Sequence, residues 1–211
     1  MIRAFLIVFF AIMLLKSAAG QVLHYEVVRN GKPIGTVDVV RTIENGIETY
    51  SLENVVEFKV LFTFNIKYVL KEQFKDGMLI SGEGFNTLNG STQKKTSIDF
   101  KNGKYKLIID GIEGYVESGD TIKYAASQVY HQEPRGNEKM YSQYFGRYLQ
   151  FKKIGDHKYS LSSPDGDNIY EYQNGFCTKV HVSRDYASFS IVMKPESLAD
   201  VKRNGYQSPR K

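Results

Sequence analysis

Turn dipeptides constrain this chain more than any other feature. Asn-Gly stands at positions 30–31, 45–46, 89–90, 102–103, 174–175 and 204–205, and Asp-Gly at 76–77, 110–111 and 165–166. Both dipeptides tolerate the positive φ angles of a two-residue hairpin turn, so between alternating segments they mark hairpins. The segments between them do alternate: Leu23, Tyr25 and Val27; Val37 and Val39; Tyr105, Leu107 and Ile109; Phe176, Val180 and Val182; Phe189, Ile191 and Met193. Short period-two runs at this turn spacing predict an all-β antiparallel up-and-down meander of roughly a dozen strands.

One run exceeds ordinary strand length. Val56, Phe58, Val60, Phe62, Phe64, Ile66, Tyr68 and Leu70 occupy every even position, while Glu57, Lys59, Asn65 and Lys67 take odd ones. Extended throughout, it would reach about 50 Å. A turn or bulge near Val60 to Phe62, or a sharp bend, is therefore expected, and any of these curls the sheet toward a barrel or half-barrel.

Helical spacing occurs once, where Tyr141, Tyr144, Phe145, Tyr148 and Leu149 fall at i, i+3, i+4, i+7 and i+8. This predicts one short helix near 138–146, with Asn137 as its cap and Gly146 near its end. Such a helix could plug or lid an open end of the curled sheet, or simply complete its core.

The N-terminus reads as an address. Met1 to Gly20 carries Arg3, an apolar run from Ala4 to Leu15, and the small residues Ser17-Ala18-Ala19-Gly20. The run is too short for a permanent bilayer helix and fits a secretory signal cleaved after Gly20. A retained anchor is the alternative, with Lys16 directly after the run. The expected organisation is a leader over 1–20, a β-meander domain over 21–195, and a polar tail without fixed structure over 196–211. No later segment is apolar enough to span a membrane.

The formal net charge is +5. Arg3 and Lys16 leave with the leader, and Lys202, Arg203, Arg210 and Lys211 sit in the tail. Positive charge thus collects at the ends rather than on one face of the domain, so no nucleic-acid partner is expected. A single cysteine excludes a disulfide framework and multi-cysteine zinc sites.

Several motifs together carry a family resemblance. Tyr25-Glu26-Val27 followed by Asn30-Gly31-Lys32-Pro33-Ile34-Gly35, then Phe74-Lys75-Asp76-Gly77-Met78-Leu79, Tyr141-Ser142-Gln143-Tyr144-Phe145-Gly146 and Tyr170-Glu171-Tyr172-Gln173-Asn174-Gly175, occur in this order. The chain thereby resembles exported β-rich domains of uncharacterised function from Bacteroidota-type bacteria, over about Tyr25 to Met193. The resemblance implies a periplasmic or outer-envelope setting and an antiparallel meander. It brings no catalytic residues.

Candidate chemistry is sparse. His24, His131, His157 and His181 have no metal-ligand spacing and read as surface or strand-face residues. Cys177, on the strand face opposite Val180 and Val182, reads as a passive thiol. The loop from Ser162 to Asn168 lacks the distal Glu of a calcium loop. His131, Glu133 and Arg135 form a compact titratable set, but their Pro-Gly loop suggests exposure. No catalytic residue, metal or cofactor is expected, and the chain is read as a non-enzymatic binding protein.

Two functions follow from this reading. The curved sheet could hold an apolar or amphiphilic, lipid-like ligand against Phe62, Phe64, Tyr68, Tyr130, Tyr141, Tyr144, Phe145 and Tyr148. Alternatively, exposed aromatics or a sheet edge could contact an envelope protein or a glycan.

Overall fold

The computed structural model describes residues 20–59, 63–116, 121–184, 187–203 and 208–209. Apart from Gly20, the leader 1–20 lies outside the described residues, as do Val60, Phe62 and the Asn-Gly pair at 204–205.

Fourteen strands form one sheet among these residues. In chain order they are β1 (Gln21–Arg29), β2 (Lys32–Glu44), β3 (Ile47–Lys59), β4 (Thr63–Lys75), β5 (Met78–Leu88), β6 (Ser91–Lys101), β7 (Lys104–Ile109), β8 (Ile112–Tyr115), β9 (Lys139–Ser142), β10 (Arg147–Gly155), β11 (Lys158–Ser163), β12 (Gly166–Gln173), β13 (Phe176–Arg184) and β14 (Ala187–Met193). The chain is all-β and antiparallel, as the turn dipeptides predict. Asn30, Asn45, Asp76, Asn89, Asn102, Asp110 and Asn174 all adopt positive φ, followed by a positive-φ glycine in each case. That pairing is the two-residue turn whose twist matches the flanking strands.

The long even-numbered run resolves into a hairpin. Phe58 lies opposite Phe64 and Lys59 opposite Thr63 in the β3·β4 ladder, and the two phenyl rings stack with centroids 5.3 Å apart. Even residues of both strands face the concave side, where Leu52, Val56, Leu70 and Phe74 are buried.

The sheet is not closed. β1 pairs with β14 in its middle, so the free edges are β8 and β9, neighbours in sequence. A barrel would need those two to pair. Instead, much of the described part of the connection between them lies inside. Ile122, Tyr124, Ala125 and every residue from Ser127 to Gln132 are buried. The Leu79 amide donates to the Ile122 carbonyl at 2.8 Å, and the Tyr141 amide to the Tyr124 carbonyl at 2.9 Å. This inserted segment, with the β9 end at Met140 to Gln143, plugs the curl. Ala126–Tyr130 forms a single 3-10 turn within it, closed at its start by the Gln128 side chain accepting from the Ala125 amide at 3.0 Å.

The helix expected near 138–146 is therefore a correction. Lys139–Ser142 is strand β9, paired with β10 through Tyr141 opposite Tyr148 and Met140 opposite Leu149, and residues 143–146 turn the chain. Gly146 at φ +65° completes that turn. The helical spacing arose because consecutive residues 140–143 of this edge strand and its turn are all buried inside the curl, which removes the alternation that marks a half-exposed strand. At the other end, Pro195–Arg203 forms helix α1 where the sequence suggests a structureless tail, with Ser197 and Val201 buried. The Ser197 hydroxyl accepts the His24 amide at 2.8 Å and fixes α1 against β1.

Two clusters fill the concave side. The larger draws on β1–β4 and β10–β14 and includes Leu23, Tyr25, Val39, Tyr130, Phe151 and Tyr172. The smaller lies under β3–β7 and includes Tyr50, Phe74, Ile98, Ile122 and Tyr141. A β-bulge, with Tyr172 opposite Cys177 and Glu171 opposite Lys179, turns Cys177 inward with Val180 and Val182. The thiol is fully buried, which corrects its assignment to the opposite face.

Candidate functional site

Where the plug leaves the two wings of the sheet apart, a cleft of about 310 Å³ remains. Asn54, Ile66, Tyr68 and Asn86 line one wall from β3, β4 and β5. Leu149, Leu161, Tyr170 and Arg184 line the other from β10–β13, and Ala126, Met140, Ser142, Tyr144 and Phe145 of the plug form the floor between them. The volume lies at the lower end of the range for ligand pockets, which runs from about 300 to 1,000 Å³.

The register dictates the first wall. Asn54 lies opposite Tyr68, Tyr68 opposite Asn86, and Asn86 opposite Lys94. One inward-facing row thus crosses β3 to β6. Tyr144 sits on this row: its ring meets Tyr68 edge-on with centroids 5.9 Å apart, its hydroxyl accepts from Asn86 Nδ2 at 3.5 Å, and Lys94 Nζ lies 4.2 Å from its centroid. Lys94 also donates to the Tyr144 carbonyl at 3.2 Å. Cation, ring and carbonyl together hold the turn 143–146 in place. Burial pushes the Tyr68 phenol well above its ordinary value, so it is neutral throughout the working pH range.

The second wall carries a polar end. Arg184 Nη1 donates to the Ser183 carbonyl at 2.7 Å and to Asn168 Oδ1 at 3.0 Å. Asn168 Nδ2 in turn donates to the Tyr170 hydroxyl at 3.1 Å, and burial pushes that phenol up to about 12. The cleft is therefore aromatic and aliphatic in the middle, carboxamide-lined on one side and charged at the rim.

The expected site residues divide. Tyr68, Tyr144 and Phe145 line the cleft. Tyr130 is buried against Tyr25, with centroids 5.0 Å apart, and belongs to the core. Tyr141 is fully buried in the smaller cluster, packed edge-on against Tyr148 at 5.2 Å. Phe64 stacks on Phe58 instead of entering the cleft, and Phe62 lies outside the described residues. Sequence reasoning missed Asn54, Asn86, Leu161 and Tyr170. Asn54 and Asn86 were legible as polar residues at the inward parity of their strands.

A second polar group is sealed beneath the plug. Glu72, on the inward face of β4, is fully buried and accepts the Ser127 amide at 2.9 Å. Burial lifts its carboxyl to about 7. Gly82 and Gly84 make room for the plug here: a Cβ at Gly82 would come within 2.4 Å of Gln143 Oε1. His131 is also buried, not surface-facing as its loop suggests. Its Nδ1 lies 3.1 Å from Gln21 Oε1, and burial lowers its pKa to about 3. Glu133 sits apart from it, within reach of His157 Nδ1 at 2.9 Å and accepting from the Tyr159 hydroxyl at 2.8 Å. Among the described residues no three His, Cys, Asp or Glu side chains gather as metal ligands would.

Fold and site define an open, curled antiparallel sheet with an internal plug and a side cleft. Residues 25–194 match the family of the domain of unknown function DUF6134, and the chain belongs to that family. A search of curated proteins gives no match. Among solved structures, the chain is similar to a beta-barrel-like protein of the domain of unknown function DUF1849 from Brucella abortus, at 10% identity and a TM-score of 0.47, covering 82% of this chain and 94% of that one. The family match bears out the uncharacterised function that the sequence motifs implied, and the strands bear out the β-rich domain, while the Bacteroidota-type source has no support in either. Among the described residues no helix is long and apolar enough to cross a membrane.

Proposed function

We propose that this chain is an exported, non-enzymatic binding protein of the bacterial envelope that holds an amphiphilic small molecule in the side cleft. One observation carries the reading: Ile66, Tyr68, Phe145, Leu149, Leu161 and Tyr170, from both wings and the plug, converge on a single space that the core leaves unfilled. An apolar lining with a few placed polar groups is the usual make-up of a small-molecule site. The concave side of the curved sheet, first expected to hold the ligand, is occupied by the plug, so the site moves to the flank. Export rests on the leader ending at Gly20. Native mass spectrometry of the gently purified chain tests this: a retained mass of a few hundred daltons at one per chain is expected, and a ligand-free chain that takes up no amphiphile overturns it.

A partner-binding reading has its own support. The edge strand β8 presents Ile112 and Tyr115 at 77% and 64% exposure, and an unpaired edge can accept another strand. Under that reading Ile112→Lys abolishes partner binding and leaves the cleft ligand bound.

A further inference from the structure

We propose that the cleft selects amphiphiles whose polar end donates hydrogen bonds, an amide or a hydroxyl, over amphiphiles ending in a bare carboxylate. This deepens the binding reading above and rests on it. Asn54 Oδ1 and Asn86 Oδ1 are both buried without a hydrogen-bond partner, and both residues line the cleft. The ladder places them on either side of Tyr68, in one row across β3, β4 and β5. Two unpaired acceptors flanking one aromatic ring are unusual, because buried polar atoms in native interiors find protein, water or ligand partners.

A turn of either carboxamide brings its oxygen to the cleft, where water serves it while the cleft is empty. A ligand that displaces that water must reproduce its bonds or lose affinity. A carboxylate brings only acceptors and a negative charge to two carbonyl oxygens. A primary amide brings N–H donors for the Asn oxygens and a carbonyl that an Asn Nδ2 can reach, so it is matched on both counts. The nearby cations do not reverse this preference: Lys94, beside Asn86 in the row, donates to the Tyr144 carbonyl and sits on its ring, Arg184 directs Nη1 to the Ser183 carbonyl and Asn168 Oδ1, and Asp165 lies on the same rim.

The experiment compares decanamide with decanoate by isothermal titration of the full processed chain at pH 8, where decanoate is ionised. Decanamide is expected to bind about ten-fold more tightly, the worth of roughly one added hydrogen bond. Asn54→Leu and Asn86→Leu, made singly and together, are expected to bring the ratio near unity while both probes still bind. Equal affinities in the wild-type chain, or a preference for decanoate, overturn the proposal and leave the cleft as the site. If neither probe binds but another amphiphile co-purifies, the donor preference alone fails. If neither binds and nothing co-purifies, the binding reading fails with it. The wild-type comparison decides the matter even if a variant does not fold.

Discussion

Glu72 Oε2 accepts the backbone amide of Ser127 at 2.9 Å, with the carboxylate fully buried between β4 and the plug. Through this bond the sheet holds the segment that fills it. Around the same place Glu72 Oε1, Ser127 Oγ, Tyr141 Oη and Gln143 Oε1 have no partner among the described residues. A charged carboxylate there is poorly solvated, which is why burial raises its pKa from 4.5 to about 7. In this group the Ser127 and Tyr141 hydroxyls can donate as well as accept, and a protonated carboxyl adds a further donor beside Gln143 Oε1, which only accepts.

Stability should therefore depend on Glu72 in a defined direction. Between pH 4.5 and about 7 the folded chain holds a proton that the unfolded chain has released. Its contribution is complete below pH 4.5 and is lost as pH rises through 7, by about 3 kcal/mol in all. Glu72→Gln keeps an acceptor for the Ser127 amide and removes the charge. Chemical denaturation at pH 5 and pH 8 is expected to show the variant gaining most at pH 8.

His131 produces the opposite slope. Its folded pKa, near 3 against 6.5, means that the unfolded chain takes up a proton that the folded chain refuses. Stability is full above pH 6.5 and falls on acidification toward 3, on the order of 5 kcal/mol. His131→Asn, which retains a donor for Gln21, is expected to flatten this acid limb in the same denaturation series. With both groups present, their opposing slopes give a plateau between about pH 4.5 and 6.5.

Glycine substitutions at two turns should separate backbone strain from contact. Gly46 and Gly175 have similar φ, +77° and +82°, but a Cβ at Gly46 meets nothing within 4 Å, whereas one at Gly175 would stand 2.6 Å from Ser208 Cβ. Ser208 Oγ also donates to the His131 carbonyl at 2.9 Å. Gly46→Ala is expected to cost about 1 kcal/mol from left-handed strain alone. Gly175→Ala should cost clearly more and expose the C-terminal segment to proteolysis, measured as a melting shift and a cleavage rate.

Leader removal is checked by sequencing the N-terminus of the chain expressed with its own leader in a bacterial host. The expected first residue is Gln21, the start of β1. A chain still beginning at Met1 in the membrane fraction would favour the retained anchor.

The fold was legible because its turns and one of its hairpins are written locally. Asn-Gly and Asp-Gly set the turn positions, and the even residues from Val56 to Leu70 set the inward face. The plug was not legible, since its burial comes from the sheet around it. Ser127, Gln128, His131 and Gln132 look like loop residues, yet they are buried by long-range contacts such as Gln132 Nε2 donating to the Tyr50 hydroxyl at 2.8 Å. A local signal existed in Gly82 and Gly84, since glycines inside a strand often mark a close approach of another segment. Of the aromatic candidates, those in the turn 143–146 reached the cleft, while Tyr130 and Tyr141 went to the core. An aromatic residue on an inward face has the same pattern in either role. Cys177 changed faces because a one-residue bulge reverses parity, and nothing in the alternation of β13 announces it.

The cleft itself is tested most directly by ¹H–¹⁵N spectra of the labelled processed chain titrated with 1-decanol. The account predicts saturable shifts gathered on the side-chain amides of Asn54 and Asn86 and on the backbone of Tyr68, Phe145, Leu161 and Tyr170, with β7 and β8 silent. Shifts confined to β8, or spread thinly and without saturation over the whole surface, would contradict it.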